Sequence, residues 1–142
     1  MSHNVLIVDD SATIRQMVRK VMQMAGLDVG EVYEAANGIE ALAQLADRDV
    51  DVILVDINMP TMNGIQLLTR MKQNARLKDI PIVIASTEGS KQRIDQMKEF
   101  GASGYVRKPF QPEQLRDVLA PILGVSSHAA AAADGNADDG LF

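Results

Sequence analysis

The chain alternates between short, unbroken apolar runs and longer stretches in which apolar residues recur every three or four positions. The runs are Val5-Leu6-Ile7-Val8, Val52-Ile53-Leu54-Val55 and Ile82-Val83-Ile84-Ala85. Short, continuous and largely β-branched, they read as strands buried on both faces. Residues 32–35 form a weaker second strand and Tyr105-Val106-Arg107 a fifth. Between the strands the period changes. Ile14, Met17, Val18, Val21 and Met22 repeat at helical spacing after Ser11, whose hydroxyl can cap the first turn, and Gly26 suits the position that ends a helix. The methionines of this stretch read as core fillers. Asn37 is expected to cap a second helix with Ile39, Leu42, Ala43 and Ala46 inward, and Asn63 a third with Ile65, Leu68 and Met71 inward. Gly64 supplies backbone freedom just beyond Asp56.

A fourth helix, about 90–100, shows only Ile94, Met97 and Phe100 on its apolar side and stops at Gly101. It is the most weakly anchored of the set. Pro112 opens a last helix with Leu115, Val118, Leu119 and Ile122 inward, and Pro121 is expected to kink it or end it near Ala120. Five alternations of strand and helix predict an α/β fold: a five-stranded parallel sheet flanked by five helices, with right-handed crossovers.

Composition narrows the class. At 142 residues the chain is one domain's worth. That domain is expected over 1–124, with a disordered Ala/Asp/Gly-rich tail over 125–142. There are no cysteines, which removes disulfides and thiolate metal sites and fits a reducing compartment. His3 and His128 stand alone, which argues against a histidine metal site. The apolar runs are too short to span a membrane and nothing resembles a signal peptide, so a cytoplasmic protein is expected. Net charge is −5, but Asp134, Asp138 and Asp139 lie in the tail, leaving 14 basic against 16 acidic side chains, or −2, in residues 1–124. That is no DNA-binding balance. A monomer with neither nucleic-acid nor membrane partners is the expectation.

Chemistry gathers at the strand ends. Asp9-Asp10 close the first strand, Asp56 the third, Ser86-Thr87 the fourth and Lys108-Pro109 the fifth. In open α/β sheets, ligands bind in the crevice beyond the carboxyl ends of the strands. Three carboxylates in one crevice repel each other unless a cation sits among them, and Mg²⁺, which takes oxygen ligands from one or two carboxylates plus a phosphate, suits such a place. Lys108 adds a flexible point charge. Asp56 could then attack a phosphoryl group to form an aspartyl phosphate, with Ser86 hydrogen-bonding one of its oxygens. Ser86 reaches that group only if its loop moves, so the product is also a switch signal.

These residues match a known pattern. Val8-Asp9-Asp10, Asp56-Ile57-Asn58-Met59-Pro60 followed by Gly64, Ser86 at the end of the fourth strand, and Gly101-Ala102-Ser103-Gly104-Tyr105-Val106-Arg107-Lys108-Pro109-Phe110 resemble the receiver domain of bacterial response regulators. The resemblance covers about residues 4–124. It implies a flavodoxin-like fold with sheet order 2-1-3-4-5. It further implies that Asp56 takes a phosphoryl group from a phosphohistidine on a sensor histidine kinase. Mg²⁺ would be bound by Asp10, Asp56 and the backbone carbonyl of Asn58, with Asp9 assisting. Lys108 would contact the acyl phosphate, and the Lys108-Pro109 bond would be cis. Ser86 and Tyr105 stand at the switch positions. Asn58 and Glu88 stand at two variable positions that, by resemblance to chemotaxis-type members, imply a short-lived phosphate.

The resemblance thus implies a single-domain response regulator of a two-component phosphorelay that signals by docking, with chemotaxis as one setting. Its targets would be a motor switch, another kinase or a phosphotransfer protein. It is not an enzyme in the turnover sense, since it catalyses only its own phosphorylation and dephosphorylation. Pro121 and the acidic, alanine-rich tail depart from the pattern. The alternative is a Mg²⁺-dependent phosphohydrolase working through the same aspartyl phosphate. Such hydrolases usually carry a second Asp two residues after the nucleophile, and here that residue is Asn58. A nucleotide or flavin binder of similar fold is disfavoured, because neither glycine-rich phosphate-binding motif occurs.

Overall fold

The continuous apolar runs become the interior of one sheet. The computed structural model describes residues 3–27, 29–57, 64–87 and 91–123. In chain order these form β1 (His3–Val8), α1 (Ala12–Met24), β2 (Val29–Ala35), α2 (Gly38–Asp47), β3 (Val52–Asp56), α3 (Gly64–Lys72), β4 (Ile82–Ser86), α4 (Lys91–Glu99), β5 (Gly104–Arg107) and α5 (Pro112–Leu123). The five strands pair in parallel in the order β2-β1-β3-β4-β5. None of the helices is long and apolar enough to cross a membrane among the described residues.

Strand periodicity sorts the core into two layers. Leu6, Val8, Ile53, Val55, Ile82, Ile84 and Tyr105 pack on one side with Ala41 and Leu45 of α2, Leu67, Leu68 and Met71 of α3, and Met97 of α4. Val5, Ile7, Val52, Leu54, Val83, Ala85 and Val106 pack on the other with Val18 and Met22 of α1 and Leu115, Val118 and Leu119 of α5. Both faces are therefore covered, as parallel sheets require. Each Val, Leu, Ile or Met side chain among them contributes about 1.5–3 kcal/mol by leaving water.

Local signals hold at the helix ends. The Ser11 hydroxyl accepts from the Ile14 N–H at 3.2 Å, and the Asn37 side chain accepts from the Glu40 N–H at 2.9 Å. The Glu40 side chain in turn accepts from the Ala36 N–H at 3.1 Å, one residue ahead of the cap. Gly26 takes φ 75° after α1, the left-handed conformation that glycine adopts without strain.

The structure also corrects several expectations. Helix α2 turns Gly38, Ala41 and Leu45 inward, while Ile39, Ala43 and Ala46 are exposed and Leu42 is half-buried. Seven small or apolar residues in ten leave two faces to choose from, and packing on α3 selects the one bearing Leu45. Met17 is 52% exposed and is no core filler, unlike Met22 on the opposite side of α1. Phe100 is likewise on the surface. Strand β2 starts at Val29, earlier than its apolar pattern showed, because an edge strand can pair along β1 without burying every residue. Helix α5 runs through Pro121 to Leu123. Pro121 has no N–H to offer the carbonyl of Asp117, four residues earlier, and both residues lie on the exposed side of the helix. The expected cap Asn63, the expected start of the fourth helix at residue 90 and the tail 125–142 lie outside the described residues.

Candidate functional site

Sheet register brings the reactive residues together. Val8 pairs with Val55, so Asp9 and Asp56 leave neighbouring strands at the same height. Asp56 pairs with Ala85 and Ser86 with Arg107, which carries Ser86 and then Lys108 along the same edge. Carboxylate oxygens of Asp9, Asp10 and Asp56 lie within 4.8 Å of one another. Lys108 Nζ donates to Asp9 Oδ2 at 2.7 Å and lies 3.7 Å from Asp56 Oδ2. The Lys108 and Asp9 side chains are 16% and 5% exposed, so water screens this pair weakly.

Asp9 is fastened at every polar group. Its N–H donates to the Ala35 carbonyl at 3.1 Å, and its Oδ1 accepts from the Ser11 N–H at 2.9 Å. Its carbonyl accepts from Arg15 Nη1 at 2.5 Å. Asp10, next in the chain, is exposed, and Asp56 is half-buried. The site thus holds one anchored acid, one acid facing solvent and one at the end of the central strand.

The opposite half of the edge is built differently. Ser86 is buried, and Tyr105 is buried in the layer that holds Ile84 and Met97. Ile84 pairs with Tyr105 and Ser86 follows two residues later on the same face, so hydroxyl and ring are diagonal neighbours beneath α4. The Lys108 N–H donates to the Ser86 carbonyl at 2.8 Å, tying the two strand ends together, and the Lys108-Pro109 peptide is cis.

Gly64 is needed for a reason other than the freedom expected of it. It opens α3 with its N–H donating to the Ile57 carbonyl at 3.1 Å, and a Cβ there would stand 2.9 Å from both the Asp56 carbonyl oxygen and Ile57 Cα. Close approach, not a left-handed backbone, requires glycine here. Asn58 and Glu88 lie outside the described residues.

One network was missed in the sequence. Arg15 and Arg19 of α1 both reach Glu34 of β2, through Nε to Oε1 at 2.9 Å and Nη2 to Oε2 at 2.6 Å. The hydrogen bond from Arg19 foremost, aided by Arg15 and partly opposed by burial, holds the Glu34 carboxyl below its usual range. Two arginines four apart on one helix, facing a lone acid in the next strand, were the available signal.

Comparison with known proteins agrees with this geometry. Residues 5–120 match the family described as the response regulator receiver domain. The chain belongs to the response regulator receiver domain family. It is 37% identical to the chemotaxis protein CheY1 of Helicobacter pylori over 122 residues, covering 85% of this chain and 97% of that protein. It is 40% identical to the phosphate regulon transcriptional regulatory protein PhoB of Pseudomonas aeruginosa over 119 residues, 84% of this chain but 51% of that protein. The solved structure of the chemotaxis protein CheY4 of Vibrio cholerae superposes with a TM-score of 0.78 at 41% identity, covering 87% of this chain and 100% of that one. The receiver is therefore a CheY-like signalling domain of two-component systems, with the sheet order that the resemblance implied.

Proposed function

We propose that Asp56 is the phosphoacceptor of this receiver and that a sensor histidine kinase supplies the phosphoryl group. The supporting observation is the placing of the Asp56 carboxylate within 4.8 Å of those of Asp9 and Asp10 and 3.7 Å from the Lys108 ammonium. An Asp56 oxygen attacks the phosphorus of a phosphohistidine. The P–N bond breaks, its electron pair stays on the imidazole, and an aspartyl phosphate forms. Hydrolysis by water returns inorganic phosphate and the free carboxylate.

The donor set suits a hard divalent cation. Three carboxylates carry three formal charges and the Lys108 ammonium returns one, so the pocket remains acidic and offers oxygen ligands throughout. Asp10 and Asp56 would hold Mg²⁺, with Asp9 steadying the corner and the Asn58 backbone carbonyl completing the protein ligands. When bound, the ion supplies neutralisation of charge on the transferring phosphoryl oxygens. Lys108 does the same from the other side, exchanging its contact with Asp9 for the phosphoryl group. Ser86 then donates its hydroxyl to that group, and Tyr105 follows the loop. Asn58 and Glu88 tune how long the phosphate lasts. Acting in the cytoplasm as a monomer, the phosphorylated receiver docks on a downstream protein such as a motor switch, a kinase or a phosphotransfer protein; chemotaxis is the setting that the relatives' names favour.

Incubation with acetyl phosphate and Mg²⁺, followed by intact mass, tests the chemistry. One added phosphoryl group that is lost in Asp56→Asn is expected, and labelling that survives this change sinks the assignment. On the same chain, beryllofluoride is expected to shift the amide signals of Ser86, Thr87 and Tyr105; signals that stay put refute the switch while leaving the acceptor standing.

A further inference from the structure

The Asp9-Asp10 corner presents a positional problem. Asp10 is exposed, so packing does little to aim it. Its peptide unit is another matter, because the Asp9 carbonyl and the Asp10 N–H and Cα share one plane. Whatever holds the Asp9 carbonyl therefore orients the start of Asp10. That carbonyl is held by Arg15, whose Nη1 donates to it at 2.5 Å while Nε donates to Glu34 Oε1 at 2.9 Å.

Glu34 is itself restrained from three directions. Arg19 donates to its Oε2 through Nε at 3.2 Å and Nη2 at 2.6 Å, and the same Nη2 donates to the Val32 carbonyl at 3.1 Å. The Glu34 carbonyl accepts from Gln44 Nε2 of α2. Arg15 is 16% exposed at its side chain, so water competes poorly for the guanidinium. One planar fork thus bridges the acidic corner and the second strand.

We propose that Arg15 and Glu34 form a positioning clamp that sets the affinity of the Asp9-Asp10 corner for a divalent cation. The inference rests on the site reading above, since it concerns the same acids. Neither residue touches the pocket with a carboxylate or ammonium. Both act through the Asp9 carbonyl, in the way that residues behind a ligand tune the ligand.

A clamp and a plain charge effect differ in sign. If Arg15 matters as a nearby positive charge, removing it tightens binding of a dication, while removing the negative charge of Glu34 weakens it. If the two work as a clamp, either change frees the Asp9-Asp10 peptide and both weaken binding. Arg15→Lys separates the cases further, because it keeps the charge but replaces the rigid two-donor fork with a single flexible ammonium.

The experiment is calorimetric titration of MgCl₂ into the full chain and into Arg15→Met, Arg15→Lys, Glu34→Gln and Asp10→Asn, with urea unfolding of each. Binding of one Mg²⁺ by the unaltered chain and its loss in Asp10→Asn are expected from the site itself. Both Arg15 variants and Glu34→Gln are expected to weaken binding about tenfold, the low end for residues behind a metal ligand. The Arg15→Met/Glu34→Gln double variant should be no weaker than either single, as for two parts of one device. Tighter binding in Arg15→Met, or unchanged affinity with a lowered urea midpoint, overturns the clamp and leaves the site intact. No Mg²⁺ binding by the unaltered chain, or binding that Asp10→Asn does not reduce, overturns the site reading and the clamp together. Should Arg15→Met fail to fold, Arg15→Lys and Glu34→Gln decide.

Discussion

Helices α1 and α4 each follow a strand that delivers a site residue, yet they are attached in opposite ways. Helix α1 buries Val18 and Met22, is capped by Ser11, and sends two arginines into the neighbouring strand. Helix α4 buries Met97, half-buries Ile94 and leaves its remaining described side chains exposed. The acids thus sit beside a bolted element, while Ser86 and Tyr105 sit beneath one that can give way. The phosphorylation switch proposed above needs that division: fixed chemistry on one side and a yielding surface on the other.

The comparison breaks most easily in the core. Met22→Ala is expected to cost about 2–5 kcal/mol in urea unfolding, as for other buried methionines. Met97→Ala is equally buried but should fall below about 2 kcal/mol, because the loss cannot exceed the free energy of undocking α4. Equal losses would mean that α4 is held as firmly as α1.

A smaller effect belongs to α3, which shares a face of the sheet with α4. Gly64→Ala sets a Cβ 2.9 Å from backbone atoms of Asp56 and Ile57, and overpacking of this kind costs about 1–3 kcal/mol. A lowered urea midpoint and slower labelling of Asp56 by acetyl phosphate are expected together. A midpoint that does not move would show slack at the corner between β3 and α3.

The smallest effect sharpens the account of α1. Glu34 is held below its usual 4.5, so its ion pairs favour the folded state above that pH and lose this contribution as pH falls through the lowered value. Glu34→Gln should therefore be less stable than the parent near pH 7, by under about 1 kcal/mol given solvent screening. The gap should close in acid. A difference that is constant with pH would assign the effect to packing instead of charge.

Much of the site could be read from residue order because parallel strands put all their carboxyl ends on one edge. Asp9, Asp56, Ser86 and Lys108 needed no knowledge of side-chain contacts to be brought near one another. Facing was harder. Ile39, Ala43 and Ala46 are as apolar as Gly38, Ala41 and Leu45, and the rotation of α2 was settled by what lies across from it. Met17 repeats at the helical period yet points to solvent, since an apolar stripe can be wider than the groove that receives it. Arg15 and Glu34 escaped notice for a further reason. Each looks like an ordinary surface charge until α1 is laid against β2.

The ammonium that closes the acidic pocket is 99 residues from the carboxylate it meets. During synthesis β1, β2 and β3 leave the ribosome well before β5 does. A partly made chain therefore carries its acids without their counter-charge, and the pocket is complete only once nearly the whole domain has emerged.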